Sequence, residues 1–212
     1  MRSTLAIGLG IALALCVSIQ AQQTAVVRSS DPPDENPQYL PTGVLSEYPD
    51  LSDFEARWFA RHLRAMAEPS LLEASKDKSV VAYRFLWLRS FHNPMSIRVD
   101  ISPTGTASLT TVVTGGKGGY EPGIVSKNEV TEISGKQLRP FIYQVDKIGF
   151  WSMKTVDDAM RGADGAVWIL EGVKGGEYHV VKRWTPESGS YRKLCLNLVE
   201  LSDLTFKPNE IY

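Results

Sequence analysis

Hydrophobic positions along this chain follow three successive patterns. An uncharged apolar run of thirteen residues, 5–17, comes first, behind Arg2. A helical period begins near Ser52, where Trp58, Phe59, His62, Leu63 and Met66 recur every three or four residues. Arg57, Arg61 and Arg64 lie off that stripe and read as a solvated face. Ser52-Asp53-Phe54-Glu55 reads as a capping box at the start, and Pro69 ends the pattern. From Val80 the spacing changes to that of strands: 80–91, 96–102, 106–113 and 124–133, with a tight turn at Pro103-Thr104-Gly105.

A second capping box, Ser134-Gly135-Lys136-Gln137, predicts a helix with Leu138, Phe141, Ile142 and Val145 on its apolar face. Gly149 is suited to close it with positive φ. A hairpin, 166–173 with 177–184, precedes a last helix from about Ser188, striped by Tyr191, Leu194, Cys195, Leu198 and Leu201. Short connections force antiparallel pairing. The expected fold is therefore α+β: an antiparallel sheet of five to six strands, a meander plus a C-terminal hairpin, packed with about three helices.

Register arithmetic sorts the hairpin's side chains. A turn at 174–175 or 175–176 pairs even residues of its first strand with odd residues of its second. Trp168, Leu170, His179, Val181 and Arg183 then share one face. Val167, Ile169, Glu171, Tyr178, Val180, Lys182 and Trp184 share the other. Glu171 is expected to meet Tyr178 or Lys182 as a cross-strand pair, and His179 to be a satisfied neighbour of Trp168.

The opening run is short for a membrane span, which needs roughly 20 apolar residues. With Arg2 before it and Ser18-Ile19-Gln20-Ala21-Gln22 after it, it has the three parts of a secretory signal peptide. Cleavage is expected near Ala21, giving an exported, periplasmic or extracellular protein. A lipid anchor at Cys16 is disfavoured by the bulky Leu15; a retained anchor is the other alternative. Residues 22–50 read as a proline-rich arm, with Pro32, Pro33, Pro37, Pro41 and Pro49, and 51–212 as a single domain. No integral span is expected once the signal is removed.

Charge and cysteine content narrow the classes. The formal net charge is −1, and −2 once residues 1–21 are gone, too balanced for a nucleic-acid surface. Cys16 leaves with the signal, so Cys195 has no internal partner and packing must supply stability. On the last helix's apolar stripe it reads as a buried, inert thiol.

Candidate chemistry is sparse. His62, His92 and His179 are far apart and form no metal-ligand spacing, so neither metal nor cofactor is expected. No Gly-x-Ser-x-Gly elbow occurs; Glu187-Ser188-Gly189-Ser190 reads as a turn entering a helix. Asp157-Asp158 reads as loop or cap solvation. The weak catalytic candidates are His179 with Asp164 or Tyr178 at a sheet margin. Gly115-Gly116-Lys117-Gly118-Gly119-Tyr120-Glu121-Pro122-Gly123 fails as a phosphate loop, lacking a Gly-Lys-Ser or Gly-Lys-Thr. It reads instead as a flexible loop offering Lys117, Tyr120 and Glu121 as a binding surface.

One cassette carries a resemblance: Phe150-Trp151, Asp164-Gly165, Trp168, Leu170-Glu171-Gly172, Tyr178-His179-Val180-Val181 and Arg183-Trp184-x-Pro186. It resembles uncharacterised exported proteins of Gram-negative bacteria, and less closely so does 83–91. The resemblance implies export and a bacterial source, and brings no activity. The expected function is a non-catalytic envelope domain binding a protein or ligand. The rival expectation is a hydrolase or transferase with a shallow site at His179, Asp164 and Tyr178.

Overall fold

Two strands carry almost unbroken apolar sequence, and that dictates their place. In β1 (Val81–Arg89) and β5 (Ala166–Lys174), eight of nine residues are buried. A strand buried on alternate as well as successive residues must be covered on both faces. In the computed structural model, which describes residues 38–157, 162 and 164–212, β1 and β5 pair at the centre of a six-stranded sheet. β2 (Met95–Ile101), β3 (Ala107–Thr114) and β4 (Val125–Ile133) continue the meander outward from β1. β6 (Glu177–Trp184) lies outside β5, giving the order β4-β3-β2-β1-β5-β6, antiparallel throughout. This is the α+β architecture that the pattern predicts, with helices on both faces.

The first face packs Tyr83, Phe85, Trp87, Trp168, Leu170 and Val181 under two helices, α3 (Gly135–Lys147) and α4 (Ser190–Leu201). The Ser134 capping box is formed with Gln137, and Gly149 follows α3 at φ 64° as expected. The second face packs Leu86, Leu88, Val112, Val167, Ile169 and Val180 under α1 (Pro49–Ala65). The hairpin turns on Gly175 and Gly176, at φ 64° and 90°, which set the register Trp168↔Arg183 and Glu171↔Val180. The two side-chain sets separate onto opposite faces as the arithmetic requires.

Two expectations are corrected at the start of the domain. Ser52 is not a cap: the helix begins at Pro49, and Ser52 is buried with its Oγ accepting from Leu45 N–H at 3.1 Å. Proline at the first helical position costs no hydrogen bond. Nor does the domain begin at 51. Tyr39, Leu40 and Leu45 are buried against α1 in the second core. Tyr39 Oη donates to Glu68 O at 2.9 Å, and Ser70 Oγ to Gln38 O at 2.5 Å. From Gln38 on, the arm is therefore a wall of the core. The signal segment 1–21, and the arm before Gln38, lie outside the described residues.

The sheet's edges are treated differently. Beside β6, Lys182 N–H donates to Thr155 O at 2.7 Å, and Arg183 donates to Lys154 O and Thr155 O, so that edge is covered. β4 is exposed, but it carries Lys127, Glu129 and Glu132 and a register shift opposite Val113 and Thr114. Charges and a bulge discourage further strand pairing.

A buried ionic network fixes α1 over the second face. Arg84 is fully buried; its Nε donates to Glu171 Oε2 at 2.8 Å and its Nη1 to Pro69 O at 2.6 Å. Glu68, just beyond α1, also accepts from Arg98 Nε at 2.8 Å, and Arg98 pairs with Asp100. Tyr178 Oη donates to Glu171 Oε1 at 2.9 Å, the cross-strand contact expected from sequence. Nearer the N-terminal end of α1, Glu55 pairs with Lys182 at 2.6 Å. Removing one member of a buried pair strands the other, whereas removing both can be nearly neutral. Arg84→Met should therefore cost about 3–5 kcal/mol in urea unfolding, with Arg84→Met/Glu171→Leu recovering most of it. Equal destabilisation of single and double variants would refute the pairing's role.

Candidate functional site

The two faces end differently. On the first face, both central tryptophans are satisfied internally: Trp87 Nε1 and Trp168 Nε1 donate to the Tyr212 main-chain oxygen at 3.1 and 2.8 Å. Phe206 and Arg89 close over Trp87. On the second face Phe54, Trp58 and Trp184 reach solvent. Along one flank of α1, Leu51, Phe54, Glu55 and Trp58 face Val167, Lys182, Arg183 and Trp184 across a cleft of about 220 Å³. Asp157 and Gly162 complete its rim. A neighbouring cavity of about 170 Å³ shares Trp58, Val167 and Trp184 and adds Leu88, Ser90, Gly119, Tyr120 and Asp164.

Local sequence explains how these walls are held. Phe54 and Trp58 are one helical turn apart, their rings stacked with centroids 6.3 Å apart, and Phe54 remains 55 % exposed. Trp184 lies opposite Val167 at the end of the hairpin. Gly165 makes room for it: a Cβ there would lie 2.7 Å from the indole. The Asp164-Gly165 step thus seats an aromatic wall as well as opening a strand. At the cleft's floor, Lys182 is held by Glu55; the Arg183 guanidinium turns to the other face, over Tyr191, and donates to the Lys154, Thr155 and Lys182 carbonyls.

The glycine-rich loop is folded against this site. Gly115, Gly116 and Lys117 donate to Ile124, Pro122 and Glu121 carbonyls at 2.8–2.9 Å, extending the β3–β4 hairpin. Gly118 lies so close to Arg89 that a Cβ would stand 2.5 Å from its nitrogen. Of the three binding candidates, Tyr120 is 62 % exposed and lines the smaller cavity. Glu121 is engaged by Arg61 of α1, and Lys117 Nζ donates to Phe91 O at 2.7 Å. The flexible tip expected from glycine content is a hydrogen-bonded hairpin end docked beside α1.

The candidate catalytic residues do not assemble. His179 pairs with Gly172 in the register, and Asp164 precedes Gly172 by eight residues, roughly 26 Å along an extended strand. Tyr178 points to the other face, toward Glu171. His179 is satisfied, as expected, but its neighbours are Phe150 and Trp151, with centroids at 5.1 and 6.4 Å, and not Trp168. Its Nε2 lies 3.0 Å from Met153 O. Burial lowers its pKa, against smaller upward pulls from Met153 O and Glu177, so the ring is neutral at pH 7. Burial pushes the Cys195 thiol up, out of the nucleophilic range. Among the described residues no group of three His, Cys, Asp or Glu side chains could hold a metal, and no helix is long and apolar enough to cross a membrane. Of the Asp157-Asp158 pair, Asp157 is exposed on the cleft rim and Asp158 lies outside the described residues.

Sequence reasoning missed the cleft because Trp58 read as part of α1's apolar stripe and Trp184 was assigned only to a hairpin face. The available signal was Phe54, an aromatic one turn before Trp58 and off the apolar stripe. It also missed His62 as a strained group. His62 is fully buried beside Trp58, and neither ring nitrogen has a hydrogen-bond partner among the described residues. Burial and the adjacent Arg61 charge lower its pKa to about 4.

A histidine of ordinary pKa in the unfolded chain binds its proton first as pH falls, so His62 costs stability between about pH 6.5 and pH 4. The full loss is at most roughly 3 kcal/mol. His62→Phe should flatten that part of the stability–pH curve; chemical denaturation at pH 7, 5.5 and 4 reads it. An unchanged slope in the variant would show that His62 is not the titrating group. Compared with known proteins, the chain matches no family model, no curated protein and no solved structure.

Proposed function

We propose that this protein is an exported envelope domain, non-catalytic, that binds a partner polypeptide through the α1–β6 cleft. The observation that carries the reading is the cleft itself: exposed and half-buried aromatic residues around a cavity of about 220 Å³. Small-molecule sites are typically ≈300–1,000 Å³, so this volume suits one large anchoring side chain. Aromatic-walled pockets of that kind form the energetic centre of many protein interfaces. Dispersal of His179, Asp164 and Tyr178 supports binding over the hydrolase or transferase alternative. Export rests on the signal-like segment ending near Ala21 and on the resemblance of the C-terminal cassette to exported proteins of Gram-negative bacteria.

A photo-crosslinking residue placed at Phe54 tests this in a Gram-negative host. The protein is expected in the periplasmic fraction with Gln22 as its first residue. Irradiation should give a discrete protein adduct that is lost when Trp184→Ala is added. The same residue at Tyr143, exposed on α3 over the other face, should give none. Equal adducts at both positions, or an adduct surviving Trp184→Ala, would overturn the assignment.

A further inference from the structure

The cleft's charges are unequally engaged, and that identifies the partner more closely. Among the described residues its cations are committed: Lys182 to Glu55, while the Arg183 guanidinium is turned to the other face, on three main-chain oxygens. Beside it, Arg61 is held by Glu121 and Lys117 by Phe91 O. Two carboxylates are not. Asp157 on the rim of the larger cavity and Asp164 in the smaller one are exposed, and neither has a hydrogen bond or ion pair among the described residues. Among the described residues Asp164 is also the one charged residue lining the smaller cavity, beside Trp58, Tyr120 and Trp184. Aromatic faces beside a carboxylate attract a cation twice over, through the ring quadrupole and through charge.

Resting on the binding function proposed above, we infer that the two cavities read adjacent residues of one polypeptide. The larger takes an aromatic or aliphatic side chain. The smaller takes the ammonium or guanidinium of a lysine or arginine beside it, against Asp164. The two cavities share Trp58, Val167 and Trp184, so both side chains can come from one short segment. Specificity resides in Asp164, since an apolar pocket alone discriminates poorly among apolar groups.

Two probes separate this from the cleft reading on which it rests. Tryptamine carries an indole and an ammonium; 3-propylindole is its neutral isostere. Calorimetric titration of the protein at low salt should show tryptamine binding about five- to tenfold more tightly. The gap should close in Asp164→Asn and shrink in 1 M NaCl, with 3-propylindole unaffected by the substitution. Asp164 is exposed, and equal melting temperatures of the two proteins confirm that the variant is folded. Equal affinity of both probes for the unaltered protein, or a gap that persists in Asp164→Asn, would overturn the inference while leaving the cleft as a binding site. Binding of neither probe would overturn the cleft itself.

Discussion

Strands covered on both faces cannot leave a charge unpaired, and Arg84 and Glu171 face each other across two such strands. Their pairing makes the centre of the sheet possible and also places a helix. Through Glu68 and Pro69 the same guanidinium holds the chain just beyond α1 over β1 and β2. Glu55, nearer the other end, holds α1 over β6 through Lys182. From Glu55 to its end at Ala65 the helix runs about 15 Å, and β6 and β2 are three strand spacings apart, about 14 Å. The helix therefore runs across the strands, from β6 toward β2. The aromatic cleft lies where its N-terminal half meets the end of the β5–β6 hairpin.

This arrangement explains why tryptophans on one hairpin have different fates. Trp168 points to the first face, where the C-terminal segment covers it and accepts its indole proton. Trp184 points to the second, where it stays half-buried beside α1. The period of two sends neighbouring aromatics to opposite environments. Around these tryptophans, the second environment combines apolar walls with solvent access.

Much of the fold was legible because local signals agreed with the packing. Gly175-Gly176 fixed the hairpin register, Ser134 and Gln137 announced α3, and Tyr191, Leu194, Cys195 and Leu198 marked the buried face of α4. Failures came where a local signal had a tertiary competitor. Ser52 matched a capping pattern, but its hydroxyl serves Leu45. The prolines before residue 50 suggested a tether, yet Tyr39, Leu40 and Leu45 pack between them. Arg84 was invisible because a buried arginine announces itself only through partners 16 and 87 residues away. The cleft was half legible: parity placed Trp184 and Lys182 on one face, but nothing local tells which face a helix leaves partly open. Tyr120 was singled out as a sticky loop tip and lines the smaller cavity.

The most direct test of where this domain binds is the ¹⁵N-resolved spectrum of its five indole N–H groups during titration with 3-propylindole. The account predicts that the Trp58 and Trp184 resonances move together with one saturation curve, while Trp87 and Trp168, bonded to Tyr212, stay in place. Movement of Trp87 or Trp168 with Trp58 and Trp184 unmoved would contradict it.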